Sequence, residues 1–132
     1  MVIIVHRRTI ARWALAGAMV GTGVLHFVAP QPFVAIMPRS LPEPLTLVYV
    51  SGVCEVLGGI GLLVPRVRKA AGWGLIALYL AVFPANVNMA INNLPIGGGH
   101  YPLLLWARLP MQALFIAWAW WCSQPACVNS SR

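Results

Sequence analysis

The chain has 132 residues, 60% of them hydrophobic and 8% charged, with a mean hydropathy of +0.79. A soluble domain carries about 25% charged residues, so that class is excluded, and residues 1–132 are expected to form one membrane domain. The net charge of +7 does not indicate nucleic acid, because the cations fall in short clusters between apolar runs rather than on a basic, aromatic-interleaved face.

Four apolar runs, at 10–28, 45–64, 70–89 and 103–121, each approach the roughly 20 residues that cross a ~30 Å hydrocarbon core. Backbone donors and acceptors in hydrocarbon must be satisfied within the segment, which leaves helices as the form for runs of this length. The expected fold is therefore all-α: a polytopic bundle of four transmembrane helices.

Arg7, Arg8 and Arg12 lead the first run. It continues through His26 into a proline-rich stretch with no small-x-small cleavage site, so a retained helix is expected rather than a signal peptide. Gly17 and Gly21 form a small-xxx-small face on which another helix can approach. The connection at 29–44 contains Pro30, Pro32, Pro38, Pro42 and Pro44, and should be stiff and non-helical over much of its length. Its apolar middle, 33–37, is expected at the membrane interface or folded over the bundle mouth.

The second run holds Ser51, Cys54, Glu55 and Gly58-Gly59-x-Gly61. No strand precedes these glycines, so they indicate helix packing rather than phosphate binding, and Cys54 is expected as a small core residue. Arg66, Arg68 and Lys69 fill the next turn. The third run carries Phe83-Pro84-Ala85-Asn86, where Asn86 can satisfy backbone groups freed by the proline. The connection at 90–102, with Asn92, Asn93, three glycines and His100, reads as mobile and non-helical. Arg108 and Gln112 lie one turn apart in the fourth run, which closes on Trp118, Trp120 and Trp121 where an aromatic belt belongs.

Seven of the nine basic residues fall on the side shared by the N-terminus, the turn at 65–69 and the C-terminus. By the positive-inside rule both termini are expected in the cytoplasm, and the basic clusters should meet anionic lipid headgroups. Cys122 and Cys127 follow the last run and could pair only on an oxidising face, which this orientation disfavours. Without a Cys-x-x-Cys pair, neither a thioredoxin-like site nor a zinc ribbon is indicated.

Glu55 is one of two acidic residues in the chain and lies ten residues into its run, ~15 Å deep at 1.5 Å per residue. A charge at that depth is costly and needs a partner or a cavity. His26, Ser51, Asn86, Arg108 and Gln112 all fall in the same outer half of the membrane, so each of the four helices contributes to one polar site. Two readings of Glu55 stand side by side: a buried ion pair with Arg108 that fixes helix register, and a proton-handling or ligand-binding carboxylate. Arg108 can also snorkel to the headgroups. No metal site is expected, since the histidines and acidic residues lack ligand spacing, and no histidine pair sits at facing depths for heme.

Taken together, His26-Phe27-x-x-Pro30-x-x-Phe33, Ser51-Gly52-x-x-Glu55-x-x-Gly58-Gly59-x-x-Leu62-Leu63-x-Pro65-x-x-Arg68, Phe83-Pro84-Ala85-Asn86-x-x-Met89 and Arg108-x-Pro110-x-Gln112 resemble the DoxX family of small bacterial membrane proteins. The resemblance runs from the first span to the last. It implies a four-helix fold in the bacterial cytoplasmic (inner) membrane and a link to quinone-dependent redox chemistry, with no catalytic role attached to particular residues. Two functions are expected from this. One is a redox-accessory subunit binding quinone, or another apolar molecule with a polar head, in the outer half of the bundle. The other is a non-catalytic scaffold, assembling with partner membrane or redox subunits or as a homo-oligomer. A small-solute transporter ranks below both, for want of paired broken helices.

Overall fold

Prolines and cationic turns divide the apolar runs, and each run folds as a helix. The computed structural model describes residues 2–96 and 98–125, with side chains from residue 6 onward. The helices are α1 (Val2–Val28), α2 (Gln31–Ala35), α3 (Pro44–Leu63), α4 (Arg68–Ile91) and α5 (Pro102–Ser123). Within them His6–Val28, Pro44–Leu63, Arg68–Ile91 and Pro102–Ser123 are long and apolar enough to cross a membrane. No strand occurs among the described residues; the one β feature is an isolated bridge between Ile96 and Gly99.

The helix boundaries have local causes. Pro44 and Pro102 sit in the first turns of α3 and α5, where a missing N–H costs no intrahelical bond. Pro65 holds Val64 in an extended conformation (φ −89°, ψ 112°) and stops α3. Beyond α4, Asn93 takes a left-handed φ of +46°, as chain reversals after helices require.

Guanidinium groups close two helix C-termini at the same end of the bundle. Arg68 Nε donates to the Leu62 carbonyl at 2.8 Å. Arg12 Nε donates to the Cys122 carbonyl at 2.7 Å, and its Nη2 donates to the Gln124 carbonyl at 2.5 Å. Arg12 is therefore buried and structural, one element of a core rather than a headgroup contact, because α1 begins well before the run expected from hydropathy. Arg8 lies with its guanidinium 5.4 Å from the Trp121 ring.

Around the bundle, α1 packs on α3, α3 on α4 and α4 on α5, while α5 returns only sparsely to α1. The α1–α3 contact is backbone against backbone. A Cβ on Gly52 would lie 2.7 Å from His26 Cβ, and one on Gly59 would lie 2.9 Å from the Ala16 carbonyl oxygen. Gly58 receives Leu75 of α4, and Gly61 receives Ala71. The glycines of the second run are thus packing residues, as their context predicts. Gly17 and Gly21 are not: nothing approaches a Cβ on either within 4 Å, and both are exposed. Helix rotation turns them outward and gives the close approach to Gly23 instead.

Two apolar cores result. The larger one, around Leu15, Met19, Leu62, Leu75 and Cys122, fills the end that carries the arginine caps. A smaller one, Met89, Ala90 and Leu105, closes the opposite end. Cys54 belongs to neither; it is exposed on α3, because its neighbour Glu55 takes the inward direction. Cys122 is buried in the last turn of α5 rather than after it. Cys127, Arg132 and Gly97 lie outside the described residues. Of the tryptophans, Trp118 and Trp121 pack against the larger core and Trp120 is exposed.

Candidate functional site

Between the two cores lies a cavity of about 620 Å³, walled mainly by apolar side chains. All six polar residues selected by depth line it: His26 from α1, Ser51 and Glu55 from α3, Asn86 from α4, and Arg108 and Gln112 from α5. The connection at 29–44 forms its outer cover, through Phe33, Ile36, Met37 and Leu41. The connection is non-helical over much of its length, as its prolines lead one to expect, apart from the short α2, at whose start Pro30 and Pro32 fall, where proline is tolerated.

Two contacts hold the cover down. The Phe33 ring stacks on His26 with centroids 3.8 Å apart. Asn88 Nδ2 donates to the Ile36 carbonyl at 2.9 Å. Asn88 escaped the sequence argument because it lies near a helix end, where an amide is unremarkable, and only the folded connection gives it a partner.

His26 and Glu55 are brought together by the close α1–α3 packing at Gly52. His26 Nδ1 is 3.5 Å from Glu55 Oε2 and 2.7 Å from the Thr22 carbonyl. A carbonyl can only accept, so the hydrogen on Nδ1 goes to Thr22, and at 3.5 Å the carboxyl receives no good hydrogen bond from it. Glu55 Oε2 is accordingly buried without a hydrogen-bond partner. The Thr22 side chain also meets the Glu55 carboxyl, a neighbour that its ordinary helical setting does not advertise.

Arg108 is not the partner of Glu55. It makes no ion pair within 4.0 Å and no hydrogen bond among the described residues, and it is exposed at the cavity rim. The buried register-fixing pair is therefore replaced by a histidine contact. Asn86 likewise does not serve the backbone around Pro84: its Nδ2 donates to Gln112 Oε1 at 2.7 Å. Gln112 reaches the backbone of α4 one residue before Leu80, whose carbonyl Pro84 leaves without an N–H, its Nε2 donating to the Tyr79 carbonyl. Tyr79 in turn donates its hydroxyl to Met19 Sδ at 3.1 Å, linking α4 to α1.

The cavity is open sideways. Leu47 and Val50 on α3 and Leu104 and Met111 on α5 both line it and are exposed at the bundle surface. Among the described residues no group of three or more His, Cys, Asp or Glu could hold a metal ion. The other connection, 92–101, ends in a tight reversal, with Ile96 and Gly99 exchanging hydrogen bonds of 2.8 and 3.0 Å and Gly98 at φ +87°; His100 Nδ1 lies 2.9 Å from the Asn93 carbonyl, away from the cavity.

Residues 15–123 match the family model described as a domain of unknown function, DUF8561. The chain belongs to this family. The matched stretch takes in every residue that lines the cavity, so the cavity is part of the DUF8561 domain rather than an addition to it. No curated protein and no solved structure matches the chain.

Proposed function

We propose that this DUF8561 protein is a multi-pass protein of the DoxX type in the bacterial cytoplasmic membrane, with both termini cytoplasmic, that binds a membrane-dissolved apolar molecule with a polar head. A quinone-like molecule is the reading favoured by the DoxX resemblance, and the protein then acts as an accessory subunit to a membrane redox system. The observation that carries the binding reading is the convergence of six polar side chains from four helices on one apolar cavity. Its volume, about 620 Å³, is in the range of small-molecule sites. Its sideways opening suits entry from the lipid phase, and the cover formed by α2 and its flanks closes the other approach. Glu55 orients the head or handles a proton, and Arg108 at the rim attracts oxygen atoms of the ligand.

A second reading, a scaffold that assembles with partner subunits or with itself, draws on Gly17 and Gly21. They leave a small-residue strip on the outer face of α1 with nothing packed over it. One experiment separates the two. Wild-type protein and Glu55→Ala are purified gently and their retained lipophilic molecules and proteins are inventoried by mass spectrometry. A quinone or other small molecule present on the wild type and lost from Glu55→Ala is the expected result. Wild-type protein that is free of such molecules but retains a partner subunit would overturn the ligand reading in favour of the scaffold.

A further inference from the structure

Glu55 and Arg108, an acid and a base, line the wall of one cavity and are not paired with each other. Arg108 has no protein partner among the described residues, and Glu55 Oε2 is buried without a donor. The donors on this wall have other acceptors, including the Thr22 hydroxyl, which meets the carboxyl but also lies within hydrogen-bond distance of the Ala18 and Met19 carbonyls. The hydrogen on His26 Nδ1 goes to the Thr22 carbonyl, and the Ser51 hydroxyl donates to the Val48 carbonyl at 2.8 Å. The α1–α3 wall therefore offers acceptors: the carboxyl and the Ser51 oxygen.

The facing α4–α5 wall has the opposite character. Arg108 supplies guanidinium N–H groups, and Asn86 and Gln112 each have a second amide N–H beyond those donated to Gln112 Oε1 and the Tyr79 carbonyl. A ligand meeting both walls must donate to one and accept from the other. A carbonyl or an ether oxygen only accepts, whereas a hydroxyl does both. Building on the lipophile-binding reading above, we infer that the cavity selects apolar molecules whose head carries hydroxyl groups, with an O–H directed to the Glu55 wall and oxygen accepting from Arg108. Selection follows from the hydrogen rather than from ring shape or tail.

Three probes that share one body test this: a decyl-substituted hydroquinone, the corresponding quinone, and the dimethyl ether of the hydroquinone. Their binding to the detergent-purified full chain is measured anaerobically by isothermal titration calorimetry. The hydroquinone should bind about tenfold or more tightly than either of the others, the penalty expected for leaving a buried acceptor unmet. Glu55→Gln puts an N–H in place of the carboxylate at nearly the same size, so it should bring the quinone close to the hydroquinone in affinity. Arg108→Gln, at the exposed rim, should weaken all three probes without changing their order.

Equal binding of hydroquinone and quinone to the wild type would overturn the hydroxyl selection while leaving the lipophile site standing. Failure of all three to bind would overturn both. A hydroquinone preference that persists unchanged in a folded Glu55→Gln protein would remove Glu55 from the role assigned to it.

Discussion

At the scale of single residues, the chain uses arginine in two unlike ways. Arg12 is 7% exposed and spends its guanidinium on two carbonyls at the end of α5, where four carbonyls lack intrahelical partners and the helix dipole favours a cation. Arg108, on the same helix that Arg12 caps, has no such task. Truncating Arg12 should therefore act on stability. Arg12→Ala leaves the buried Cys122 carbonyl without a donor and should cost about 1–3 kcal/mol, read as an earlier midpoint in denaturant titration of the detergent-solubilised protein. Arg12→Lys should recover only part of the loss, because an ammonium cannot fork across both carbonyls. An Arg12→Ala midpoint equal to that of the wild type would show that the cap contributes nothing.

At the scale of helices, the glycines decide which elements touch. Gly52 faces His26 Cβ and the Gly23 carbonyl, whereas Gly17 faces nothing within 4 Å. Alanine gains helix propensity at either position, about 0.8–1 kcal/mol over glycine, but at Gly52 it must also push α1 away from α3. Overpacking of this kind costs about 1–3 kcal/mol. Gly52→Ala should thus be neutral to destabilising and should weaken ligand retention by separating His26 from Glu55, while Gly17→Ala should be neutral or slightly stabilising. Thermal unfolding of the two variants side by side checks this, and a Gly52→Ala protein as stabilised as Gly17→Ala would contradict the close α1–α3 contact. The same comparison marks where the sequence stops being informative. The four long helices follow from apolar length, and the six polar residues of the cavity follow from depth, since polar groups in lipid-facing runs have few places to go. Their pairing does not follow, because it depends on how each helix is rotated about its axis. That rotation gave Glu55 to His26 instead of Arg108, gave Asn86 to Gln112 instead of the backbone at Pro84, and turned Gly17, Gly21 and Cys54 outward.

For the whole molecule, one asymmetry remains to be explained: the larger core, the arginine caps and the basic turns occupy one end, and the cavity with its cover occupies the other. In a bilayer this sets the site at a definite depth and side. Arg7, Arg66 and Lys69 are exposed at the basic end, free of the capping duties of Arg12 and Arg68, and they are the charges on which a positive-inside orientation acts. If the proposed cytoplasmic placement of both termini holds, the cavity faces away from the cytoplasm, a ligand enters from the outer leaflet and Arg108 sits near the outer headgroups. Single cysteines placed in a background with Cys54, Cys122 and Cys127 replaced by serine test the orientation directly. In intact cells a membrane-impermeant maleimide should label Asn93→Cys, which lies exposed in the connection between α4 and α5, and should leave Arg66→Cys unlabelled until the membrane is permeabilised. The reverse pattern would place both termini outside and require the cavity to be filled from the cytoplasmic leaflet. Labelling of both sites in intact cells would break the assignment of opposite sides, and with it the four-crossing arrangement on which the depth of Glu55 depends.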